Sequence, residues 1–230
     1  MLGDIVAPEE FNLKLGPKGR PEHFFRGLDD VEISKKKIGL TYHHIVPYSK
    51  LRDFWNKLVE SRDIEKLEFL PHLRGGISGG TYVDVLSPVG KLGGADALQA
   101  ADLVSKIYSG AIRHGSEAKL RPTGWDNLMG VYAWIPGNLF VGPQNRFDDP
   151  RDKLDEAASS VIGSVRGKRY DKLSEAYTQI LRYLEGSSGR KFALPASNAL
   201  REVVTRVGIQ RYNDKDWTWI EGREGPQIQR

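Results

Sequence analysis

The sequence predicts an α+β fold, mostly helical, arranged around a small pair of strands, and three observations carry that expectation. Gly39 to Val46 reads as a short strand, with Ile38, Leu40, Tyr42 and His44 alternating with the residues between them and Pro47 closing the run. The apolar period then lengthens to that of a helix. Leu51, Phe54, Trp55 and Leu58 fall on one face of Ser49–Val59, with Ser49 placed to cap it. Gly130 to Val141 (GVYAWIPGNLFV) forms a second apolar and aromatic run, with Pro136-Gly137 as a turn between two extended halves.

The remaining elements follow from similar patterns. Residues 1–38 are rich in Pro, Gly and charge and read as a surface-lying N-terminal arm. Within them Lys35-Lys36-Lys37 reads as a solvated turn, the functional alternative being phosphate contact. His72 to Gly80 is glycine-rich and matches neither a Walker loop nor a dinucleotide fingerprint, so it is expected to be a flexible loop. Ala95 to Tyr108 predicts an amphipathic helix, and Gly115 to Gly130 predicts loop. Asp149-Pro150 is a good helix start, with Leu154, Ala157, Ala158, Val161 and Ile162 as its apolar face. Helices are also expected over Tyr170–Leu184 and Ser197–Val207. In the last segment, 212–230, Trp217 and Trp219 alternate with polar residues, which suggests an edge strand or a docking segment.

Composition narrows the function classes. The chain has 230 residues, 39% hydrophobic and 28% charged, the profile of a folded soluble protein. No apolar run approaches the ~20 residues of a membrane span, and the start Met1-Leu2-Gly3-Asp4 lacks the basic leader of a signal peptide. The expected setting is a bacterial cytoplasm, of a producing or a target cell, with any export by a non-classical route and no membrane partner. The absence of cysteine excludes disulfides, thiolate zinc sites and cysteine nucleophiles, so any metal must be held by His, Asn, Asp or Glu. A formal charge of +4 and a pI of about 9.1 favour polyanionic partners without proving contact.

Adjacent histidines on a strand point to opposite faces, so His43-His44 alone says little. Their context says more. Tyr42-His43-His44-Ile45-Val46-Pro47, with Asn138-Leu139-Phe140 and Asn145-Arg146, resembles the divided active site of the HNH, or ββα-metal, nucleases. In that superfamily a strand ends in a His/Asp-His-Ile-x-Pro motif, a second strand follows with an asparagine, and a helix supplies a further metal ligand. The resemblance spans roughly residues 38–50 and 132–158.

By that resemblance His43 is a metal ligand and His44 the histidine that activates water. Asn138 is the asparagine that holds the loop and orients the histidine, Asn145 is the last-position metal ligand, and Arg146, with Arg151, binds substrate phosphate. The implied fold is a mostly helical domain around a small ββα-metal core, with a long helical insertion between the two core strands. The nuclease domain is then 39–211, with its core at 39–50 and 131–165, its insertion at 51–130 and helices over 166–207.

Two spacings depart from the familiar pattern. Asn138 follows His44 by 94 residues (138 − 44), which is what requires the insertion; Asn56, nearer the usual spacing, lies inside a helical pattern. Asn145 follows Asn138 by seven residues (145 − 138), nearer nine being usual, so Asp148 and Asp149 stand as alternative ligands, although Asp149 also suits a helix cap.

The chemistry is coherent. Phosphodiester hydrolysis needs a base, a divalent cation and positive charge at the phosphate, and an imidazole serves as base near neutrality. One imidazole with oxygen donors favours Mg²⁺ or Mn²⁺ over Zn²⁺. The expected substrate is nucleic acid, DNA before RNA, met through its backbone with little sequence preference. An antibacterial toxin with a cognate immunity protein is the expected role, beside a housekeeping, restriction-type or phage nuclease. The competing class is a non-catalytic interaction or nucleic-acid-binding protein with structural histidines. His23, His72 and His114 have no motif around them and read as surface or packing residues.

Overall fold

The structure is a computed structural model that describes residues 7–17, 19–25, 27–79, 82, 92–162, 169–220 and 225–229. Its first strand, β1 (Glu9–Phe11), is followed by a hairpin of β2 (Val31–Ile33) and β3 (Lys36–Ile38), whose turn places Ser34 and Lys35 at positive φ. β3 leads directly into β4 (Leu40–His44). Pro47, at φ −63° and ψ 142°, then starts helix α1 (Tyr48–Glu60), whose buried face is Leu51, Phe54, Trp55 and Leu58. Proline lacks an N–H and has a fixed φ, so it suits a helix entrance. Ser49, expected as the cap, lies inside the helix, and its hydroxyl caps nothing.

Helix α2 (Phe69–Ser78) overturns one expectation. It runs through most of the glycine-rich stretch read as a flexible loop; Gly80 lies outside the described residues. Leu70, Leu73 and Ile77 recur at helical spacing and are fully buried, and that burial outweighs the roughly 1 kcal/mol helix penalty of each glycine. Gly76 serves close approach, since a Cβ there would stand 2.6 Å from the Tyr82 ring. Helix α3 (Gly94–Ser109), β5 (Ile112–His114) and helix α4 (Trp125–Ala133) follow. α4 occupies part of the expected 115–130 loop and the first half of the expected extended run. Trp125, Leu128, Met129 and Tyr132 bury a helical face, and local aromatic content alone does not separate that pattern from a strand.

A single 3₁₀ turn, Pro136–Asn138, joins α4 to β6 (Leu139–Pro143). No helix begins at Asp149. Residues 144–157 form turns, with Asp149 accepting a bond from the Arg151 amide, and helix α5 (Ala158–Ile162) starts only where the Asp155 carboxylate receives the Ala158 amide at 3.2 Å. Asp149 and Asp155 are both competent caps, and tertiary contacts choose the second. Helices α6 (Arg169–Glu185) and α7 (Arg190–Val204) come next, then β7 (Trp217–Trp219) and β8 (Pro226–Ile228).

The protein has an α+β fold of mostly helical content. α2 packs on α3 and α7, α6 on α7, and α1 on α6, forming one apolar core. The sheets are pairs: β1–β5 parallel, and β2–β3, β4–β6 and β7–β8 antiparallel. The two strands of the nuclease-like motif therefore pair, Leu40 opposite Pro143 through His44 opposite Leu139. The first 38 residues are more than a surface-lying arm. β1 pairs with β5, and Leu13, Leu15, Phe24 and Phe25 are buried in the core. The last segment forms the β7–β8 hairpin, with Trp217 buried. Among the described residues no helix is long and apolar enough to cross a membrane.

The helix assignment of α2 has a direct test. Gly75→Ala, with open space around the new methyl, should stabilise the protein by about 0.5–1 kcal/mol through helix propensity. Gly76→Ala should destabilise it by about 1–3 kcal/mol through collision with Tyr82. Urea unfolding of the pair measures both, and equal effects would mean that this segment is not a packed helix.

Candidate active site

The site begins where β4 ends. His43 Nε2 lies 2.9 Å from the Pro143 carbonyl oxygen and His44 Nε2 lies 2.7 Å from that of Ala133. A carbonyl only accepts, so both Nε2 atoms carry hydrogen and both Nδ1 atoms present lone pairs. Ala133 is the last residue of α4, and its carbonyl has no further helical turn to bond; His44 fills that vacancy. The Trp134 ring, 4.7 Å from the imidazole between centroids, braces it from the side. On β4's other face His43 stacks on Phe140 at 5.2 Å. Burial pushes both imidazoles down to about 4. For His43 the nearby Arg146 cation adds to the effect, and for His44 burial is opposed in part by the Ala133 bond. Both rings are therefore neutral at neutral pH.

Asn138 secures the loop that follows. Its Oδ1 accepts the Val46 amide at 2.7 Å, its Nδ2 donates to the Val46 carbonyl at 2.8 Å, and its own carbonyl accepts the Ile45 amide at 3.0 Å. It is 1% exposed, so it positions the loop and does not reach substrate. The turn carrying it is itself held by the half-buried Arg169 guanidinium, which donates to the carbonyls of Gly137 and Leu139.

Arg146 is the residue whose geometry departs most from expectation. Its side chain is fully buried; Nη1 pairs with Asp155 at 2.5 Å and Nε with Asp148 at 3.0 Å, while the guanidinium lies beside the stacked rings of Phe140 and Trp217. A buried cation already shared by two carboxylates is not open to phosphate in this arrangement. The same pairing keeps Asp148 away from metal, since its other oxygen accepts the Ile228 amide.

What remains open to solvent is a cavity of about 630 Å³ lined by His43, His44, Asn145, Asp149 and Arg151 together with Arg20 and Arg52. Both histidines line it although they occupy opposite faces of the strand, together with Thr41 and Tyr42. Asp149 Oδ2 is 3.9 Å from His43 Nδ1, and Asn145, at a φ of 55°, lies on the same wall. Among the described residues no three His, Asp or Glu side chains group together to hold a metal. The donors closest to one another are the His43 imidazole nitrogen and the Asp149 carboxylate, with the Asn145 amide on the same wall. That set fits Mg²⁺ or Mn²⁺, which bind through one or two protein ligands and retain water, and does not fit Zn²⁺. Sequence spacing did not single out Arg20 or Arg52. Arg20 lies in a stretch without periodicity, and Arg52 reads simply as a polar position on α1. The remaining histidines behave as packing or surface residues: His23 sits among Phe25, Tyr42 and Trp134, His114 accepts the Leu13 amide, and His72 is exposed.

No protein-family profile matches the chain, and no solved structure matches it. It is 31% identical over 139 residues to protein p9 of Acyrthosiphon pisum secondary endosymbiont phage 1, an alignment covering 57% of this chain and 37% of that protein. The chain thus matches well under half the length of that relative.

Two outcomes follow from this geometry. Asp155→Ala leaves half of Arg146's pairing unmet in a buried site and should cost about 3 kcal/mol of stability in urea unfolding; a loss below 1 kcal/mol would show that the pair does not anchor the loop. The histidines set an acid limit as well. An unfolded imidazole titrates near 6.5 and these near 4, so the unfolded chain binds more protons between those values. Stability is therefore full above pH 6.5 and falls on acidification towards 4, by up to about 1.4 kcal/mol per pH unit per group. Thermal denaturation in EDTA should show this slope flattened in a His43→Gln/His44→Gln variant, and an unchanged slope would refute it.

Proposed function

We propose that the protein is a metal-dependent endonuclease of the HNH type that hydrolyses phosphodiester bonds in nucleic acid. The observation that carries this reading is the pair of Nδ1 lone pairs at one cavity: that of His44, a neutral base, and that of His43, a ligand beside the Asp149 carboxylate. His43 with Asp149 or Asn145 would hold Mg²⁺ or Mn²⁺, which supplies neutralisation of the charge that develops on the phosphate and leaving oxygens. His44 Nδ1 takes a proton from water as the oxygen attacks phosphorus and the bond to the 3′ oxygen breaks. Its Nε2–H, bonded to Ala133, steadies the imidazolium that forms. Arg151, on the same wall, meets flanking phosphate.

DNA is favoured over RNA as substrate, with low sequence preference, since the cations of the cavity recognise phosphate and not base edges. Arg146 has no part in the reaction, and Asp149 takes precedence over Asn145 as the second ligand because its oxygen lies near the His43 lone pair. The biological setting we propose is an antibacterial toxin acting in a bacterial cytoplasm, neutralised by a cognate immunity protein. One observation favours a second setting, a phage nuclease: the likeness to a phage-encoded protein. A non-catalytic binding role draws only on the absence of a three-donor cluster among the described residues, a feature that a water-rich Mg²⁺ site does not require.

Plasmid cleavage with Mg²⁺ or Mn²⁺ tests the reading. His44→Ala should lower the rate by about 10²–10⁴-fold with folding retained. A variant that cuts like the wild type ends the proposal. Calorimetric Mn²⁺ binding separates the ligands: Asp149→Ala should weaken it at least about tenfold, and Asn145→Ala should weaken it less. The reverse order would return the ligand role to Asn145.

A further inference from the structure

The mechanism needs the His44 Nδ1 lone pair, and in the structure that atom already has a partner. Arg20 Nη1, from the segment ahead of the strands, stands 3.4 Å from it, with the guanidinium 5.2 Å over the Trp134 ring. Guanidinium only donates, so the contact uses the electron pair that must accept the water proton. The segment is fastened on both sides of Arg20. Trp134 Nε1 donates to the Pro21 carbonyl at 2.7 Å, and Arg52 Nη1 donates to the Pro17 carbonyl at 2.9 Å.

Arg52, on the same cavity wall, differs from it. Arg52 is paired with Asp53, whereas the ion pairs among the described residues leave Arg20 without a carboxylate. Arg20 is exposed, lines the cavity and is held by one long hydrogen bond and a ring contact. A phosphate entering the cavity offers that guanidinium a charged, bidentate acceptor, a stronger partner than a neutral imidazole nitrogen.

Resting on the nuclease reading, we infer that Arg20 is an exchangeable latch. It covers the His44 Nδ1 lone pair when no substrate is present and turns to the substrate phosphate when one enters, so that phosphate binding itself frees the base. The ligand class is a phosphate mono- or diester anion. The device keeps the base masked until the group it must act on has arrived, and it makes the N-terminal segment part of the active site.

The test uses the full chain in EDTA, with nitrogen-15 NMR of the histidine rings and inorganic phosphate as probe. In the wild type, millimolar phosphate should shift the His44 Nδ1 resonance towards its position in phosphate-free Arg20→Ala, and in Arg20→Ala phosphate should leave it unmoved. Plasmid cleavage by Arg20→Ala with Mg²⁺ should fall by about 100-fold, through lost phosphate contact. A wild-type resonance indifferent to phosphate, an equal shift in both proteins, or a variant that cuts at the wild-type rate would overturn the latch. If His44→Ala abolishes cleavage while Arg20→Ala does not affect it, the latch falls and the nuclease reading stands. If the wild type cuts nothing while phosphate moves His44 through Arg20, the latch stands and the nuclease reading falls.

Discussion

The site depends on a two-ended amide clamp. Asn138 closes two side-chain hydrogen bonds on the backbone of Val46 and accepts a third, from the Ile45 amide, on its own carbonyl, joining segments 92 residues apart in the chain (138 − 46). Ile45 and Val46 directly follow the histidine pair, where the chain leaves β4, and a strand end left to itself would fray. The clamp is 1% exposed, so water does not compete for its bonds, and a buried amide that lost its partners would bear a full desolvation cost. Asparagine carries a donor and an acceptor on separate atoms of one short planar amide, which matches the N–H and C=O of a single residue.

Around this clamp the chain spends its buried charge on position. Arg146 draws Asp148 and Asp155 inward, Asp155 caps α5, and the Asp155 amide in turn bonds the Ile45 carbonyl. The turn after β6 is therefore tied to the exit of β4 by an ion pair and a backbone bond, and Asp149 is left facing the cavity. Arg169 does the same for the turn before β6. Arg146, which the motif resemblance assigned to phosphate, is thus an internal strut, Arg169 braces the other turn, and the cations lining the cavity are Arg20, Arg52 and Arg151.

The long segment between the two motif strands belongs to the site as well. It ends in α4, whose terminal carbonyl orients His44, and Trp134 just beyond braces the ring and anchors the chain at Pro21. Removing the imidazoles from water keeps them neutral and fixes their tautomers, at a cost in acid stability.

Sequence alone determined the strand pair and the amphipathic helices over 49–59, 95–108 and 170–184, and it put forward His43, His44 and Asn138 as candidates. Those features rest on local period and on short motifs, each legible in its own stretch of chain. It also placed Asp149 among the possible ligands. It did not determine which aspartate would cap α5, that Gly75 and Gly76 would lie in a helix, or that Arg146 would turn inward while Arg20 turned to the base. Each of those depends on what lies opposite in three dimensions. A cap is chosen by the partner that pulls on it, glycine is helical when neighbours bury its face, and an arginine binds phosphate only when no carboxylate has taken it first. The tertiary structure decided these because a residue's charge and hydrogen bonds are spent on neighbours that local pattern does not identify.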